Sequence, residues 1–176
     1  HELTIGPCDK DALHSRERLL NLPQSEIVSF QPATGEELWR GNICDVDEAV
    51  ARARAAFPGW ASRPVANRME MMRRFANEVR AAADDFAELI ARETGKPLWE
   101  AKTEVEAVIN KVEISISAYM ERTGQKKLDS ALGGSAALRH KPHGIMAVLG
   151  PYNFPAHLPN GHIVPALIAG NVVIFK

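Results

Sequence analysis

The chain contains little cysteine. Only two of its 176 residues are cysteines, Cys8 and Cys44, and they form neither a Cys-x-x-Cys pair nor a spacing typical of metal ligands. Nothing in the pattern supports a disulfide between them, and we interpret both as reduced thiols.

The chain also lacks an excess of charge of either sign and a long apolar run. Its 21 basic and 22 acidic residues leave a net charge of −1, so the composition does not favour nucleic acid or an anionic membrane as a partner. No apolar run approaches the ~20 residues of a membrane-spanning helix, and no secretory signal peptide is visible. We therefore expect a soluble, cytoplasmic protein.

A third absence concerns nucleotide binding. The Gly-x-Gly-x-x-Gly turn that usually follows the first strand of a dinucleotide-binding unit is missing. Between the apolar runs 145–149 and 172–175 the chain instead reads Gly150-Pro151-Tyr152-Asn153-Phe154-Pro155. We interpret the whole stretch as a strand, a polar turn, a helix and a second strand. Ligands of open α/β sheets bind at the carboxyl ends of strands, where this turn places Asn153.

Asn153 and Lys176 each have two interpretations. The amide of Asn153 offers two N–H donors and cannot ionise, so it could hold a developing oxyanion. Alternatively it only shapes a turn between two prolines, which the short motif alone favours. Lys176, directly after the second strand, could bind a ribose hydroxyl or a phosphate, or could be an ordinary exposed lysine at a strand end.

Four histidines lie in the last part of the chain, but their spacing does not indicate a metal site. His140 and His143 have opposite facing parity on one strand. His157 and His162 are five residues apart rather than three or four, so they would not stack on a helix. His157 lies one turn beyond Asn153, and it is an alternative candidate for lining a pocket.

Helical and strand patterns precede this unit. Apolar residues at three- and four-residue steps, with capping and stop residues, predict helices over 45–59, 64–83, 84–95 and 97–124. Strand patterns with an intervening turn predict a hairpin of 27–30 and 37–40. Residues 1–25 are irregular, 126–134 are loop-like, and 136–143 form a strand or hairpin arm. The predicted fold class is α/β, with a helical and hairpin layer built onto the start of a parallel sheet.

Several motifs, in the same order along the chain, resemble the aldehyde dehydrogenase superfamily. The resemblance covers roughly residues 26–176, and most members have Trp where this chain has Tyr152. It is carried by Tyr152-Asn153-Phe154-Pro155, Ala169-Gly170-Asn171, Phe175-Lys176, Pro32-Ala33-Thr34-Gly35-Glu36, Asp47-Glu48-Ala49-Val50-Ala51 and Glu93-Thr94-Gly95-Lys96-Pro97. It implies the N-terminal part of an NAD-binding domain, in which helices and a β-hairpin arm lead into a Rossmann-like parallel sheet.

The resemblance also implies an activity, the NAD-dependent oxidation of an aldehyde to an acid. In such enzymes a cysteine thiolate adds to the aldehyde, an Asn side chain holds the oxyanion, hydride passes to NAD, and water activated by a glutamate hydrolyses the thioester. Asn153 matches the oxyanion position. Cofactor-binding positions would be Leu149, Gly150, Pro151, Tyr152, Asn153 and Lys176. The small aldehyde substrate, which would carry carboxylates, would meet Phe154, His157 and, as a second candidate, Lys111.

One departure from the family is large. The nucleophilic Cys and general-base Glu of such enzymes would lie beyond residue 176, and neither Cys8 nor Cys44 matches the motif. We expect residues 26–176 to be a partial NAD-binding domain without the catalytic domain, and to be inactive alone. The arm at 136–143 would make the full-length protein a homo-oligomer. Two alternatives stay open for the function. One is a semialdehyde dehydrogenase of the same superfamily that acts on another substrate, and the other is a non-catalytic association module.

Overall fold

The computed structural model describes residues 26–124, 126–129 and 134–176. Within these ranges it contains, in order, β1 Glu26–Phe30, β2 Glu37–Asn42, α1 Val46–Ala61, α2 Val65–Ala81, α3 Ala83–Thr94, α4 Leu98–Arg122, β3 Lys126–Asp129, β4 Ser135–Leu138, β5 Ile145–Val148, α5 His157–Ile168 and β6 Val172–Phe175. The α/β class is confirmed. The predictions for residues 1–25 and for Cys8 lie outside the described residues.

Two helix boundaries follow from capping residues in the sequence, whereas α2 to α5 begin without a side-chain cap. Asp45 caps α1 by accepting hydrogen bonds from the backbone amides of Asp47 and Glu48. Gly95 ends α3 in the left-handed conformation, with φ of 74°. The predicted stop of α1 at Pro58-Gly59 is wrong, because the helix continues to Ala61. Trp60 anchors that last turn by donating from Nε1 to the Leu167 carbonyl at 3.0 Å, and this tertiary contact outweighs the local signal.

The hydrophobic core lies among the four helices α2 to α5. Its buried residues are Met69, Met72, Ala76, Ala87, Ile90, Ala101, Val105, Ile109, Val112, Ile116, Val164 and Ile168. Leu89 of α3 is 42% exposed although it is apolar. It lies at the flank of the apolar face of α3 and lines an open apolar groove of about 610 Å³ together with Phe75 and Phe86. No helix in the described ranges is long and apolar enough to cross a membrane.

The hairpin arm begins earlier than predicted. β3 pairs antiparallel with β4, with Lys126 opposite Leu138 and Asp129 opposite Ser135. The prediction of a loop from 126 is therefore wrong for 126–129, and the strand predicted to reach His143 ends at Leu138. Main-chain pairing defines this hairpin, and the polar sequence of β3 gives no alternating apolar signal.

The strands β5 and β6 form the parallel pair that carries the site. Ile145 lies opposite Val172, and Val148 lies opposite Phe175. The helix α5 connects the two strands, and both α1 and α5 pack against them. Because parallel strands run in one direction, their carboxyl ends meet at one edge, so the turn 149–156 and Lys176 lie together.

Candidate active site

The first part of the turn is exposed and lies beside Lys176. The amide of Gly150 donates to the Lys176 carbonyl at 2.7 Å, and the amide of Lys176 donates to the Val148 carbonyl at 3.0 Å. Leu149 is 77% exposed and Tyr152 is 89% exposed, although both are large apolar or aromatic residues. Five of the predicted cofactor-binding residues, 149–152 and Lys176, are thus brought to one sheet edge, and their main chain or side chains face solvent.

Gly150 is required by close packing at this edge. A Cβ at this position would lie 3.1 Å from Cε2 of Phe175 and 3.3 Å from Cγ of Pro159. Such distances are tighter than nine in ten real Cβ contacts, so with a side chain at this position Phe175 or Pro159 would have to move by a few tenths of an ångström. The glycine therefore lets the turn lie directly against both elements.

The second part of the turn is held by Lys96, which precedes α4. Its Nζ donates to the main-chain carbonyl of Asn153 at 2.8 Å and lies 4.1 Å from the centre of the Phe154 ring, a cation–π contact. Only 8% of the Lys96 side chain is exposed. Phe154, predicted to face the substrate, therefore has a ring that lies against a buried ammonium group.

Glu104 of α4 holds the start of α5. Its side chain is fully buried, and its Oε1 accepts hydrogen bonds from the amides of Ala156 and His157, both at 3.0 Å. Its Oε2 accepts from Lys96 Nζ at 2.6 Å. A negative charge at the N-terminus of a helix is favourable because the free amides and the helix dipole point at it. In a typical dinucleotide unit a phosphate takes this place, whereas here the protein's own carboxylate occupies it.

The side chain of Asn153 makes no hydrogen bond to the described residues, whereas its main chain does. It is exposed, and among the described residues no hydrogen bond reaches its amide group, whereas its carbonyl is fixed by Lys96. Two N–H donors are thus available to a ligand on a turn whose backbone is anchored.

His157 and Lys111 lie along the contact between α4 and α5. His157 is half-buried, and its Nδ1 is fully buried with no hydrogen-bond partner in the described part of the chain. Lys111 runs past Gly161, one turn further along α5, since a Cβ built on that glycine would lie 3.8 Å from its Cε. The structure therefore brings both predicted substrate residues to the helix that follows Asn153.

Sequence reasoning did not assign a role to Lys96 or Glu104, although Lys96 lies in a motif that carried the family resemblance. A signal for Glu104 was present, because it occupies the buried face of α4 between Ala101 and Val108. A carboxylate on such a face is rarely buried unless it is paired. Its partners lie eight and 52 or 53 residues away in the sequence, so the pattern could not identify them.

The remaining sequence candidates do not join this site. Cys44 is exposed and donates from Sγ to the carbonyl of Asp45, ahead of α1. In the described ranges no three His, Cys, Asp or Glu residues are grouped so that they could hold a metal ion.

The sequence profile of the aldehyde dehydrogenase family matches residues 21–176. The chain therefore belongs to the aldehyde dehydrogenase family. Among curated proteins the chain is 71% identical, over 155 residues, to the N-succinylglutamate 5-semialdehyde dehydrogenase of Novosphingobium aromaticivorans, covering 88% of this chain and 33% of the relative. It is 58% identical over 153 residues to the enzyme of the same name from Paraburkholderia xenovorans, covering 85% and 31%. The chain thus spans about a third of the length of these relatives.

Solved structures share the fold. An NADP-dependent glyceraldehyde-3-phosphate dehydrogenase from Bacillus halodurans, complexed with NADP, superposes with a TM-score of 0.81 at 26% identity, covering 87% of this chain and 34% of that one. PnpE in complex with nicotinamide adenine dinucleotide superposes with a TM-score of 0.79 at 26% identity, covering 86% and 32%. Members of the family with this fold therefore bind NAD or NADP.

Proposed function

We propose that this chain forms the N-terminal third of an NAD-dependent aldehyde dehydrogenase that oxidises N-succinylglutamate 5-semialdehyde to N-succinylglutamate. The observation that carries the proposal is the amide of Asn153, which is exposed and without a hydrogen bond to the described residues, on a turn whose backbone is anchored. The substrate follows from the identity of 71% to a relative of that name.

Asn153 holds the oxyanion that forms when a nucleophile adds to the aldehyde carbon. Its two N–H donors cannot lose a proton, so they stabilise the negative charge without transferring one. The charge on the oxygen exists only after the attack, so these hydrogen bonds favour the transition state over the bound substrate.

The residues at the sheet edge fit a dinucleotide. The turn 149–152 is exposed at Leu149 and Tyr152 and partly exposed at Gly150 and Pro151, and the exposed Lys176 supplies a positive charge beside it. NAD, when bound, supplies the hydride acceptor. Because Glu104 occupies the first amides of α5, the phosphates are held elsewhere, and Lys176 meets the adenosine ribose.

His157 and Lys111 recognise the carboxylates of the substrate. Lys111 carries a positive charge along α4, and the ring of His157 is half-buried, so the accessible part of that ring and the ammonium of Lys111 can each interact with an acidic substrate. Phe154 contributes apolar surface to the same channel. The β3–β4 arm joins subunits, which makes the enzyme a homo-oligomer.

Steady-state kinetics of the full-length enzyme test this function. We expect kcat/KM, followed by the absorbance of NADH, to be highest for N-succinylglutamate 5-semialdehyde among a set of semialdehydes, and higher with NAD than with NADP. A higher kcat/KM for another semialdehyde would show that the proposed substrate is wrong. An absence of turnover with every aldehyde would favour a non-catalytic association module. The 176-residue chain alone should give only background, and turnover that Cys44→Ser abolishes would overturn the proposal.

A further inference from the structure

Two buried, oppositely charged side chains hold the turn of Asn153 from both ends. Lys96 binds the carbonyl of Asn153, at the start of the segment 153–157. Glu104 binds the amides of Ala156 and His157, at its end. The two side chains also bind each other, so the segment and the ion pair form one closed set of hydrogen bonds.

Stability alone is a weak explanation for this pair. Removing two charges from water is costly, and a buried ion pair is often no more stabilising than apolar side chains of the same size. Only 8% of Lys96 and none of Glu104 is exposed, so both carry that cost. What the pair does supply is a fixed geometry, since every hydrogen bond from it to the turn is charge-assisted.

We propose that Glu104, held in place by Lys96, is a positioning residue for the reaction, because it fixes the segment that presents the amide of Asn153 to the oxyanion. This role rests on the function proposed for Asn153. An oxyanion donor must lie within a few tenths of an ångström of its working place, and a displacement of about 1 Å can lower the rate ~100-fold. The exposed side chain of Asn153 has no other anchor in the described ranges than its own backbone.

Glu104→Gln removes the negative charge of the carboxylate and keeps the size of the side chain. The glutamine keeps an oxygen that can accept from the two helix amides. Its NH2 group would face the ammonium of Lys96, so two donors would oppose each other. Lys96 would lose its nearer counter-ion and keep only Glu100, whose Oε1 lies 3.9 Å from Nζ. The segment then shifts at the end where Asn153 lies, while the start of α5 keeps its cap.

The experiment is a double-mutant cycle in the full-length enzyme, with kcat and the KM values for NAD and aldehyde measured for Glu104→Gln, Asn153→Ala and the double variant. We expect Glu104→Gln to lower kcat about 10-fold with little change in either KM. In the Asn153→Ala background the same substitution should change kcat less than ~2-fold, because the amide to be positioned is gone. The matched control is Glu106→Gln, an exposed glutamate of the same helix, which should leave kcat unchanged.

The outcomes separate this inference from the function on which it rests. An equal loss of kcat in both backgrounds would make Glu104 a helix cap only and would overturn the inference, leaving the role of Asn153 intact. An unchanged kcat in Asn153→Ala alone would refute the oxyanion role, and the inference with it. If Glu104→Gln does not fold, Lys96→Met in the same cycle gives the same test, because it releases the Asn153 carbonyl directly.

Discussion

Asn171 and Asn153 lie at opposite ends of α5, and their side chains have opposite surroundings. Asn171 is only 4% exposed. Its Oδ1 accepts from the amides of His143 and Gly144 at 2.7 and 3.0 Å, and its Nδ2 donates to the Ala166 carbonyl at 3.3 Å. The side chain of Asn153 is exposed and bonds to none of the described residues.

The difference shows that one side chain type can be held by internal hydrogen bonds at one position and left available to a ligand at another. The amide of Asn171 makes three hydrogen bonds that join the loop before β5 to the end of α5, and its burial keeps it out of reach of a ligand. At Asn153 it is the main chain that is held, because its carbonyl accepts a hydrogen bond from Lys96. The side-chain amide remains available. A fixed backbone with an unsatisfied side chain is what a binding site requires.

The largest effect on folding should come from Asn171→Ala. The substitution leaves the buried ends of two amides, those of His143 and Gly144, without their acceptor, whereas the Ala166 carbonyl keeps the backbone amide of residue 171. We expect a loss of about 2–3 kcal/mol in the free energy of unfolding. Thermal unfolding of the full-length enzyme, followed by circular dichroism, measures it as a drop in the midpoint. Asn110→Ala, at an exposed position of α4, is the control and should lie within about 0.5 kcal/mol of the parent. Equal midpoints for Asn171→Ala and Asn110→Ala would show that the side chain of Asn171 does not stabilise the fold, and the contrast with Asn153 would be lost.

His157→Leu should have a smaller and selective effect. The Nδ1 of His157 is an intermediate case, because it is buried like the amide of Asn171 but has no partner in the described part of the chain. Because the rest of the ring is accessible and is proposed to bind a substrate carboxylate, kcat/KM for the succinylated semialdehyde should fall about 10-fold, since hydrogen bonds to charged groups are worth roughly 1.5–3 kcal/mol. A neutral short aldehyde should be affected less than about 2-fold. An equal fall for both aldehydes would assign His157 to structure.

The smallest effect should come from an ion pair at the surface. Arg73 Nε donates to Glu113 Oε1 at 2.7 Å, and this hydrogen bond lowers the pKa of Glu113 below its ordinary value, against a small raising effect of burial. The stabilisation is therefore present above the ordinary pKa and is lost as the pH falls through the lowered pKa of the folded state.

Because both side chains are largely exposed, solvent screens their attraction, and Arg73→Ala should shift the unfolding midpoint at neutral pH by only about 1 °C. The shift should vanish in acid, once Glu113 is protonated. A shift at neutral pH as large as that of Asn171→Ala would contradict the distinction between interior and surface polar contacts.

The sequence predicted the parts of the fold that local chemistry determines. Asp45 and Gly95 marked the ends of helices because capping and positive φ are local requirements. The parallel pair β5 and β6 followed from two apolar runs around a helical segment, and the turn that follows β5 was correctly placed at the edge of the sheet. The roles of Asn153, His157 and Lys111 remain predictions.

The rest depended on contacts between residues distant in the sequence. Lys96 meets Asn153 across 57 residues, and Glu104 meets the start of α5 across 52 and 53. The spacing of apolar residues along a helix or strand does not predict contacts over such a separation. The same holds for Trp60, whose contact with Leu167 extends α1 past a proline, and for β3, which is defined by pairing rather than by its own pattern.

The most direct test of the account is kcat of Asn153→Ala in the full-length enzyme, measured with saturating NAD and aldehyde. Loss of one oxyanion donor should lower kcat on the order of 100-fold or more, whereas KM for the aldehyde should change little and the unfolding midpoint should stay at that of the parent. An unchanged kcat in the folded variant would contradict the account, because the amide would then not meet the charge that forms during the reaction.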